Sequence, residues 1–210
     1  MDFSELNKMV ETGKVKIVKT LVTEALENGV APKEILEQGL LPGMNVIGDK
    51  FKNNEVYVPE VLIAARAMKA GMELLSPALK GANFQPKGKA VIGTIKGDLH
   101  DIGKNLVGIM LEGKGIEVID LGVDVAPEKF VDEAIAQGAT IIGASALLTT
   151  TMTNMKDIVE YAKEKGVRDQ LTIMVGGAPI TDAFCEKIGA DIYTPDASQA
   201  SDAALKVFEA

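Results

Sequence analysis

Asp98 and His100 are the residues of this sequence best placed to do chemistry together, because they stand two positions apart in the segment GDLHDIG. A carboxylate that accepts a hydrogen bond from one nitrogen of an imidazole ring fixes the ring and leaves the other nitrogen free to coordinate a metal. His100 is the only histidine in the protein, so any histidine-based site has to use it. A solvated loop histidine without a function is the alternative interpretation of the same spacing.

The Asp98–His100 pair lies between a predicted strand and a predicted helix. Residues 90–95 form a short apolar run that is typical of a buried strand, and residues 103–113 have the apolar spacing of an amphipathic helix. In sheets of parallel strands, ligands bind outside the carboxyl ends of the strands. The position of the pair therefore predicts a ligand site at that edge of a sheet.

The alternation of strands and helices continues to the end of the chain. Further strands are predicted at residues 116–120, 140–145, 171–175 and 191–193, and further helices at residues 127–137, 152–166, 180–188 and 197–208. Strands separated by helices pair in parallel through right-handed crossovers. The expected fold is α/β, with a five-stranded parallel sheet that is Rossmann-like and of the flavodoxin type. The sequence has neither a G-x-G-x-x-G nor a P-loop motif, which argues against nucleotide binding.

Residues 1–80 are expected to be helical, because apolar residues recur at helical spacing without strand-like alternation. Helices are predicted at residues 14–27, from Pro32 onward, at residues 44–51 and from Pro59 to about residue 79, with Gly39 and Pro42-Gly43 interrupting the second of them. About four such helices pack as a bundle. The Gly- and Pro-containing residues 81–88 predict a linker, so the expected domains are residues 1–80 and 89–210.

The composition excludes several classes of protein. A net charge of −8 without clustered lysine or arginine argues against a nucleic-acid partner. Cys185 is the only cysteine, so an intrachain disulfide is ruled out, and its helical setting predicts a packing residue. No apolar run reaches the ~18 residues of a membrane span, and the charged N-terminal stretch lacks a secretory apolar core. A cytoplasmic location without membrane association is therefore expected.

Residues 98–103, with the sequence DLHDIG, resemble the D-x-H-x-x-G signature of proteins that bind cobalamin in the base-off, His-on form. The resemblance implies that His100 is the lower axial ligand of cobalt and that Asp98 supports it. It also implies that Asp101 and Gly103 belong to the cofactor-binding residues. In that family the benzimidazole tail of the cofactor is displaced from cobalt into the protein.

Two further signatures of this family follow in order along the chain. Ser145 and Leu147 resemble its S-x-L motif, which implies that the serine hydroxyl bonds a nitrogen of the buried benzimidazole. Without such a donor, burying the polar ring atom costs ~1–3 kcal/mol. Gly176 and Gly177 resemble its G-G pair, and glycine allows close approach of the backbone to a flat ligand. On the residues alone, the serine could simply end a strand and the glycines could form a turn.

Thr151 stands six residues after Ser145 and resembles the third member of a ligand triad, whose hydroxyl bonds the carboxylate that bonds the histidine. Methionine synthase has serine at this position, so threonine departs from the pattern while keeping the hydroxyl. Thr149, in the same segment, is counted among the implied cofactor-binding residues. Without the resemblance, Thr151 could equally cap the helix that follows.

Residues 54–67 resemble the helical cap that covers the methyl face of cobalamin in methionine synthase and in corrinoid proteins. The resemblance implies that Val61 and Leu62, with Val58 nearby, shield the cobalt–carbon bond. On their spacing alone, the same side chains are core residues of a helical bundle.

The chain as a whole resembles the small corrinoid proteins of anaerobic methyltransferase systems. This resemblance implies a bound cobalamin or related cobamide, whose cobalt carries a methyl group between two methyltransferases. The first, expected to be a barrel protein, is specific for methanol, a methylamine or a methoxyaromatic donor; the second acts on tetrahydrofolate or coenzyme M. A reductive activator is a further implied partner. The chain would be a carrier subunit that does not turn over substrate alone.

Three alternatives stay open at this point. A cobalamin-binding subunit of an adenosylcobalamin mutase shares the three signatures but usually lacks the helical cap. A cobalamin-dependent sensor of the light-sensing type carries a tryptophan over the upper ligand, and this sequence has no tryptophan. The third alternative is a helical bundle fused to a flavodoxin-like domain without a ligand.

Overall fold

A computed structural model of the chain describes residues 2–82 and 85–209. These residues form two compact units, Met1–Gln85 and Pro86–Ala210. The predicted linker, residues 81–88, includes the boundary between the units, and its residues 83 and 84 lie outside the described part of the chain. Among the described residues, none of the helices combines the length and the hydropathy that crossing a lipid bilayer requires.

The first unit consists of helices, which confirms the predicted helical bundle. They are α1 (Ser4–Glu11), α2 (Val15–Glu27), α3 (Pro32–Glu34), α4 (Leu41–Lys52) and α5 (Val58–Gly81), with a π-helical segment, Ile35–Leu40, between α3 and α4. Helix α2 packs against α5, and α1 packs against α4. Apolar side chains at helical spacing fill the interior, among them Leu6, Val10, Val18, Val22, Ile35, Leu40, Met44, Ile47, Val61 and Leu75.

The predicted interruption at Gly39 and Pro42 is wrong, because helical structure is continuous from Pro32 to Lys52. In a regular α-helix the Gln38 carbonyl would accept a hydrogen bond from the backbone nitrogen of residue 42, and a proline has no N–H to donate. The side-chain amide of Asn7, on α1, donates to this carbonyl at 2.7 Å instead. The π-helical segment and a donor from a neighbouring helix therefore let the chain pass the proline without a break.

The second unit is a parallel sheet covered by helices on both faces. Its strands are β1 (Lys89–Thr94), β2 (Glu117–Asp120), β3 (Ile141–Ser145), β4 (Thr172–Gly176) and β5 (Ile192–Tyr193), in the order β2-β1-β3-β4-β5. The helices are α6 (Ile102–Gly113), α7 (Pro127–Gln137), α8 (Thr149–Met152), α9 (Met155–Glu164), α10 (Asp182–Ile188) and α11 (Ala197–Glu209), with a 3-10 turn at Arg168–Gln170. This strand order is the flavodoxin type, as predicted.

The two faces of the sheet have separate cores. Helices α7, α9 and α10 cover one face around Phe130, and α6 and α11 cover the other around Ile92. After β1 the chain continues to β2 on one side, and after β3 it continues to β4 on the other side. The loops that follow the neighbouring strands β1 and β3 therefore run in opposite directions. Ligands of doubly wound sheets bind at the carboxyl edge at such a point, and the loop after β1 carries Asp98 and His100.

The predicted helix at residues 152–166 corresponds to α9, and the short helix α8 precedes it, separated from it by Thr153 and Asn154. At the break, the side-chain amide of Asn154 donates to the Lys96 carbonyl at 3.0 Å, in the loop after β1. A tertiary contact thus accompanies the boundary between α8 and α9.

Candidate metal and cofactor site

The loop between β1 and α6 holds Asp98 and His100 side by side. His100 Nδ1 lies 2.7 Å from Asp98 Oδ1, and the same oxygen accepts the backbone N–H of His100 at 3.0 Å. The Asp98 side chain is 0% exposed, whereas the His100 side chain is 53% exposed. The buried carboxylate therefore holds one side of an imidazole ring whose remaining surface is open to solvent.

The second oxygen of Asp98 is bound by the segment that follows β3. Asp98 Oδ2 accepts hydrogen bonds from the backbone N–H of Leu147 at 2.8 Å, that of Leu148 at 3.2 Å and the hydroxyl of Thr151 at 2.8 Å. Burial alone raises the pKa of Asp98, but the hydrogen bonds from His100, Leu147 and Thr151 together lower it well below its ordinary range. Asp98 is therefore a carboxylate at neutral pH.

The charge on Asp98 determines which nitrogen of His100 carries a proton. An ionised carboxylate can only accept hydrogen bonds, so the contact of 2.7 Å requires a proton on His100 Nδ1. In the neutral ring, Nε2 then has an unprotonated lone pair. An imidazole nitrogen of this kind, supported by a carboxylate on the other nitrogen, is suited to a transition metal.

A metal ion at His100 would need its other ligands from another source. Within residues 2–82 and 85–209, no group of three or more histidine, cysteine, aspartate or glutamate side chains is arranged to hold a metal ion. A metal carried in a macrocycle brings its own equatorial ligands and needs one axial ligand from the protein. The lone imidazole therefore fits the corrin-bound cobalt implied by the DLHDIG signature.

A groove reaches the central strand β3 on the side covered by α6 and α11. Ile141, Gly143 and Ser145 alternate onto this side, and the latter two are partly exposed although β3 is the middle strand of five. Gly176 is the register partner of Ser145, and a Cβ added to it would meet no atom within 4 Å. None of the described residues forms a hydrogen bond with Ser145 Oγ. The groove has the open floor and the unpaired hydroxyl that a flat heteroaromatic group needs.

A glycine is required at position 177 because of a close backbone contact within the protein. Its φ is +127°, and a Cβ at this position would lie 1.8 Å from the Ala146 carbonyl oxygen. The close approach of the segment after β3 therefore excludes a side chain at Gly177, and the role of this glycine at the cofactor stays a prediction. Gly103, in the first turn of α6, resembles Gly176 instead, since a Cβ there would meet nothing within 4 Å.

Exposed apolar side chains lie in the loop after β1, at the first residue of α6 and in the segment after β3. Leu99 is 70% exposed, Ile102 76%, Leu147 44% and Leu148 41%. Sequence reasoning identified Leu147 and missed the other three, although large apolar residues in a loop at the carboxyl edge of a sheet were a usable signal. Leu99 and Ile102 are close to His100 in the chain, and the backbones of Leu147 and Leu148 bind Asp98, so all four could offer apolar surface to a large ring.

The other predicted site residues occupy the margins of this region. Asp101 is half-buried and accepts a hydrogen bond from Asn105 Nδ2 at 3.1 Å, and Thr149 is an exposed residue at the start of α8. In the first unit, Val61 is fully buried and Leu62 is 43% exposed. Of these two, Leu62 is the one with side-chain surface to offer a ligand, and the role of both at the cofactor stays a prediction.

Several families and proteins are similar to this chain. A family described as "B12 binding domain" matches residues 88–205, and a second family of the same description matches residues 3–76. A corrinoid protein of Desulfitobacterium hafniense (strain Y51) is 42% identical over 206 residues, which cover 97% of this chain and 95% of that protein. Trimethylamine corrinoid protein 2 of Methanosarcina mazei is 45% identical over 197 residues, covering 91% of this chain and 90% of the relative.

A solved structure has the same fold. It is the crystal structure of the methanol:cobalamin methyltransferase complex MtaBC from Methanosarcina barkeri, in which one chain matches with a TM-score of 0.89 and 28% identity. The match covers 97% of this chain and 78% of that chain.

Proposed function

This chain belongs to the B12-binding corrinoid proteins, and on that premise we propose that it carries a methyl group between two methyltransferases. The resemblance predicted from the sequence is thereby confirmed, and the cofactor of the family is a cobamide. When bound, the cobamide supplies a cobalt ion that accepts and releases the methyl group. The observation that carries the proposal is the half-exposed imidazole of His100, held by the buried carboxylate of Asp98.

Each residue of the site has a separate task in this proposal. His100 binds cobalt through Nε2, and Asp98 keeps the proton on Nδ1, which orients the ring and increases its basicity. Thr151 and the backbone N–H groups of Leu147 and Leu148 keep Asp98 ionised and in place. Ser145 Oγ, at the groove over β3, would donate to a nitrogen of the cofactor's lower base. These side chains hold the cofactor, and they do not act on the methyl donor.

Methylamines are the first donor class to test. The chain is 45% identical to a trimethylamine corrinoid protein, whereas its identity to the matching chain of the methanol:cobalamin methyltransferase complex is 28%. That complex supports direct partnership with a donor-specific methyltransferase. Methanol and methoxyaromatic donors, and acceptor enzymes that use tetrahydrofolate or coenzyme M, complete the set of candidates. The matches to corrinoid proteins along nearly the whole chain do not favour a mutase subunit or a sensor.

Cobalt ligation is tested by the visible spectrum. The full chain is reconstituted with a cobamide under reducing conditions, reoxidised, and compared with His100→Gln. We expect the wild type to give the spectrum of an imidazole-ligated cobamide and His100→Gln to give that of a cobamide without a lower nitrogen ligand. Lys96→Gln, at an exposed position in the same loop, is the matched control and should behave as the wild type. Identical spectra for wild type and His100→Gln would overturn the assignment of His100.

Methyl transfer is tested with labelled donors. Reconstituted protein is mixed with purified methyltransferases of each donor class and with trimethylamine, dimethylamine or methanol that carries a radioactive methyl group. We expect label to appear on the protein-bound cofactor with one donor class and to leave it when an acceptor methyltransferase and its substrate are added. Labelling that never occurs, together with tight binding of the adenosyl form, would replace the carrier proposal by the mutase alternative.

A further inference from the structure

We propose that Asp124, in the loop between β2 and α7, positions the ligand histidine by fixing the backbone of residues 97–98. The inference deepens the proposed function, since it assigns a residue that controls the ring of His100, although its effect is measured without the cofactor. Asp124 belongs to none of the signatures that predicted the site, and its sequence neighbours indicate only the end of a strand and the start of a helix.

Asp124 forms two hydrogen bonds to the turn that carries Asp98. Its Oδ1 accepts the backbone N–H of Gly97 at 2.7 Å, and its own backbone N–H donates to the Asp98 carbonyl at 3.0 Å. One residue from another loop therefore holds the peptide group before Gly97 and the peptide group after Asp98. The turn needs such support, because Gly97 has a φ of +84° and an unsupported glycine has many conformations.

The conformation of Asp124 is itself unusual. Its φ is +54°, and among the described residues the only other non-glycine residue with a positive φ is Asn54. Most L-residues are strained in this conformation, and aspartate and asparagine are the non-glycine residues that tolerate it best. Backbone strain of this kind persists where surrounding contacts determine it, and here the contacts are the two bonds to residues 97–98.

Fixing the backbone at Asp98 fixes the proton on His100. The Asp98 carboxylate must direct Oδ1 at His100 and Oδ2 at Thr151 at the same time, with heavy-atom distances of 2.7 and 2.8 Å. Hydrogen bonds weaken when the donor and acceptor move a few tenths of an ångström apart or out of line. Loss of the Asp124 contacts lets the Asp98 Cα shift, which weakens the bond that keeps the proton on Nδ1. A larger share of the rings then has the proton on Nε2, where it blocks coordination.

The test uses the fact that His100 is the only histidine in the chain. Full-length protein without cofactor and without a histidine tag is labelled with ¹⁵N in the imidazole ring, and the two nitrogen chemical shifts are recorded at pH 8.5. We expect the wild type to have its proton on Nδ1. Asp124→Ala, which lacks the acceptor and does not favour a positive φ, should increase the fraction protonated on Nε2 at least threefold.

Two further variants separate the loss of the acceptor oxygen from the effect of backbone strain at positive φ. Asp124→Asn keeps an acceptor oxygen and the tolerance for positive φ, so we expect it to restore the wild-type shifts. Asp124→Gly removes the acceptor without backbone strain, so we expect it to resemble Asp124→Ala, and it also serves if the alanine variant fails to fold. Asn54→Ala is the strain-matched control, and its imidazole shifts should equal those of the wild type.

The outcomes distinguish this inference from the proposed function. Wild-type shifts in Asp124→Gly, or an asparagine variant that behaves like the alanine variant, overturn the positioning role. A variant that only lowers the melting temperature, with unchanged shifts, shows a structural contact and also overturns it. If the shifts change as expected but His100→Gln leaves the cobamide spectrum unaltered, the role of Asp124 stands and the role of His100 as cobalt ligand falls.

Discussion

The hydroxyl of Thr151 donates a hydrogen bond of 2.8 Å to Asp98 Oδ2, although 53 residues separate the two in the chain. The opposite oxygen of the same carboxylate faces His100 Nδ1 at 2.7 Å. Helix α8 and the loop after β1 are thus joined through one buried charge, and the imidazole is oriented by residues that follow two different strands. Changes on the Thr151 side should therefore affect both the stability of the fold and the properties of the ring.

Replacing Thr151 by valine removes the hydroxyl and keeps the volume. Because a buried carboxylate then has one donor fewer, we expect the free energy of unfolding to fall by about 1–3 kcal/mol. Thr151→Ser keeps the hydroxyl and should lose less. Urea denaturation followed by circular dichroism at pH 7 measures the difference. The matched control is Thr153→Val, whose exposed hydroxyl lies 3.4 Å from the Thr150 carbonyl, and equal losses in both valine variants would contradict the prediction.

The lowered pKa of Asp98 makes its contribution to stability depend on pH. The unfolded chain has an ordinary carboxyl with a pKa of about 3.9, and the folded chain holds the pKa of Asp98 below that value. Protonation therefore favours the unfolded state, so this stability is complete above about pH 5 and is lost as the pH falls below about 4. We expect the unfolding free energies of wild type and Asp98→Asn to approach each other across that range. A difference between them that stays constant from pH 7 to pH 3 would contradict the assignment.

The strands of the second unit were predictable because their signal is local. Ile141–Ser145 is a short, mostly apolar run, and the structure begins and ends this strand within one residue of the prediction. The DLHDIG segment likewise carries its pattern within six positions, so the pairing of Asp98 with His100 could be predicted before any contact was known.

The features that the sequence could not predict share one cause, which is that a distant residue decides the local structure. The carbonyl of Gln38 accepts a hydrogen bond from Asn7 on another helix, and helical structure continues through Pro42. Any side chain at position 177 would clash with the Ala146 carbonyl, which only the register of β3 and β4 brings near. Asp124 contacts the Asp98 turn from a neighbouring loop, and its identity alone indicates nothing of this.

Gly176 and Gly177 should respond differently to alanine, although they are neighbours in one motif. Gly177→Ala places a methyl group 1.8 Å from the Ala146 carbonyl oxygen at a φ of +127°, so we expect about 2 kcal/mol or more of lost stability. Gly176→Ala adds a methyl group where the protein leaves space, so stability should change little while cobamide affinity falls. Thermal denaturation and a cofactor titration measure the two effects. Normal cobamide affinity in Gly176→Ala would show that this space is not used by the cofactor.

Lys104 and Asp120 form an ion pair whose two members should differ in their sensitivity to mutation. Lys104 Nζ lies 2.6 Å from Asp120 Oδ1, and the lysine side chain is 3% exposed whereas the aspartate is 44% exposed. Lys104→Met leaves a carboxylate that water can reach and that still accepts the N–H of Gly122 at 2.9 Å, so we expect a loss below about 1 kcal/mol. Asp120→Ala leaves a buried ammonium without its carboxylate, which should cost about 3 kcal/mol.

The double variant should regain most of that loss, and urea denaturation of the four proteins measures the cycle. A larger loss in Lys104→Met than in Asp120→Ala would show that burial of the ammonium does not determine the energetics of this pair.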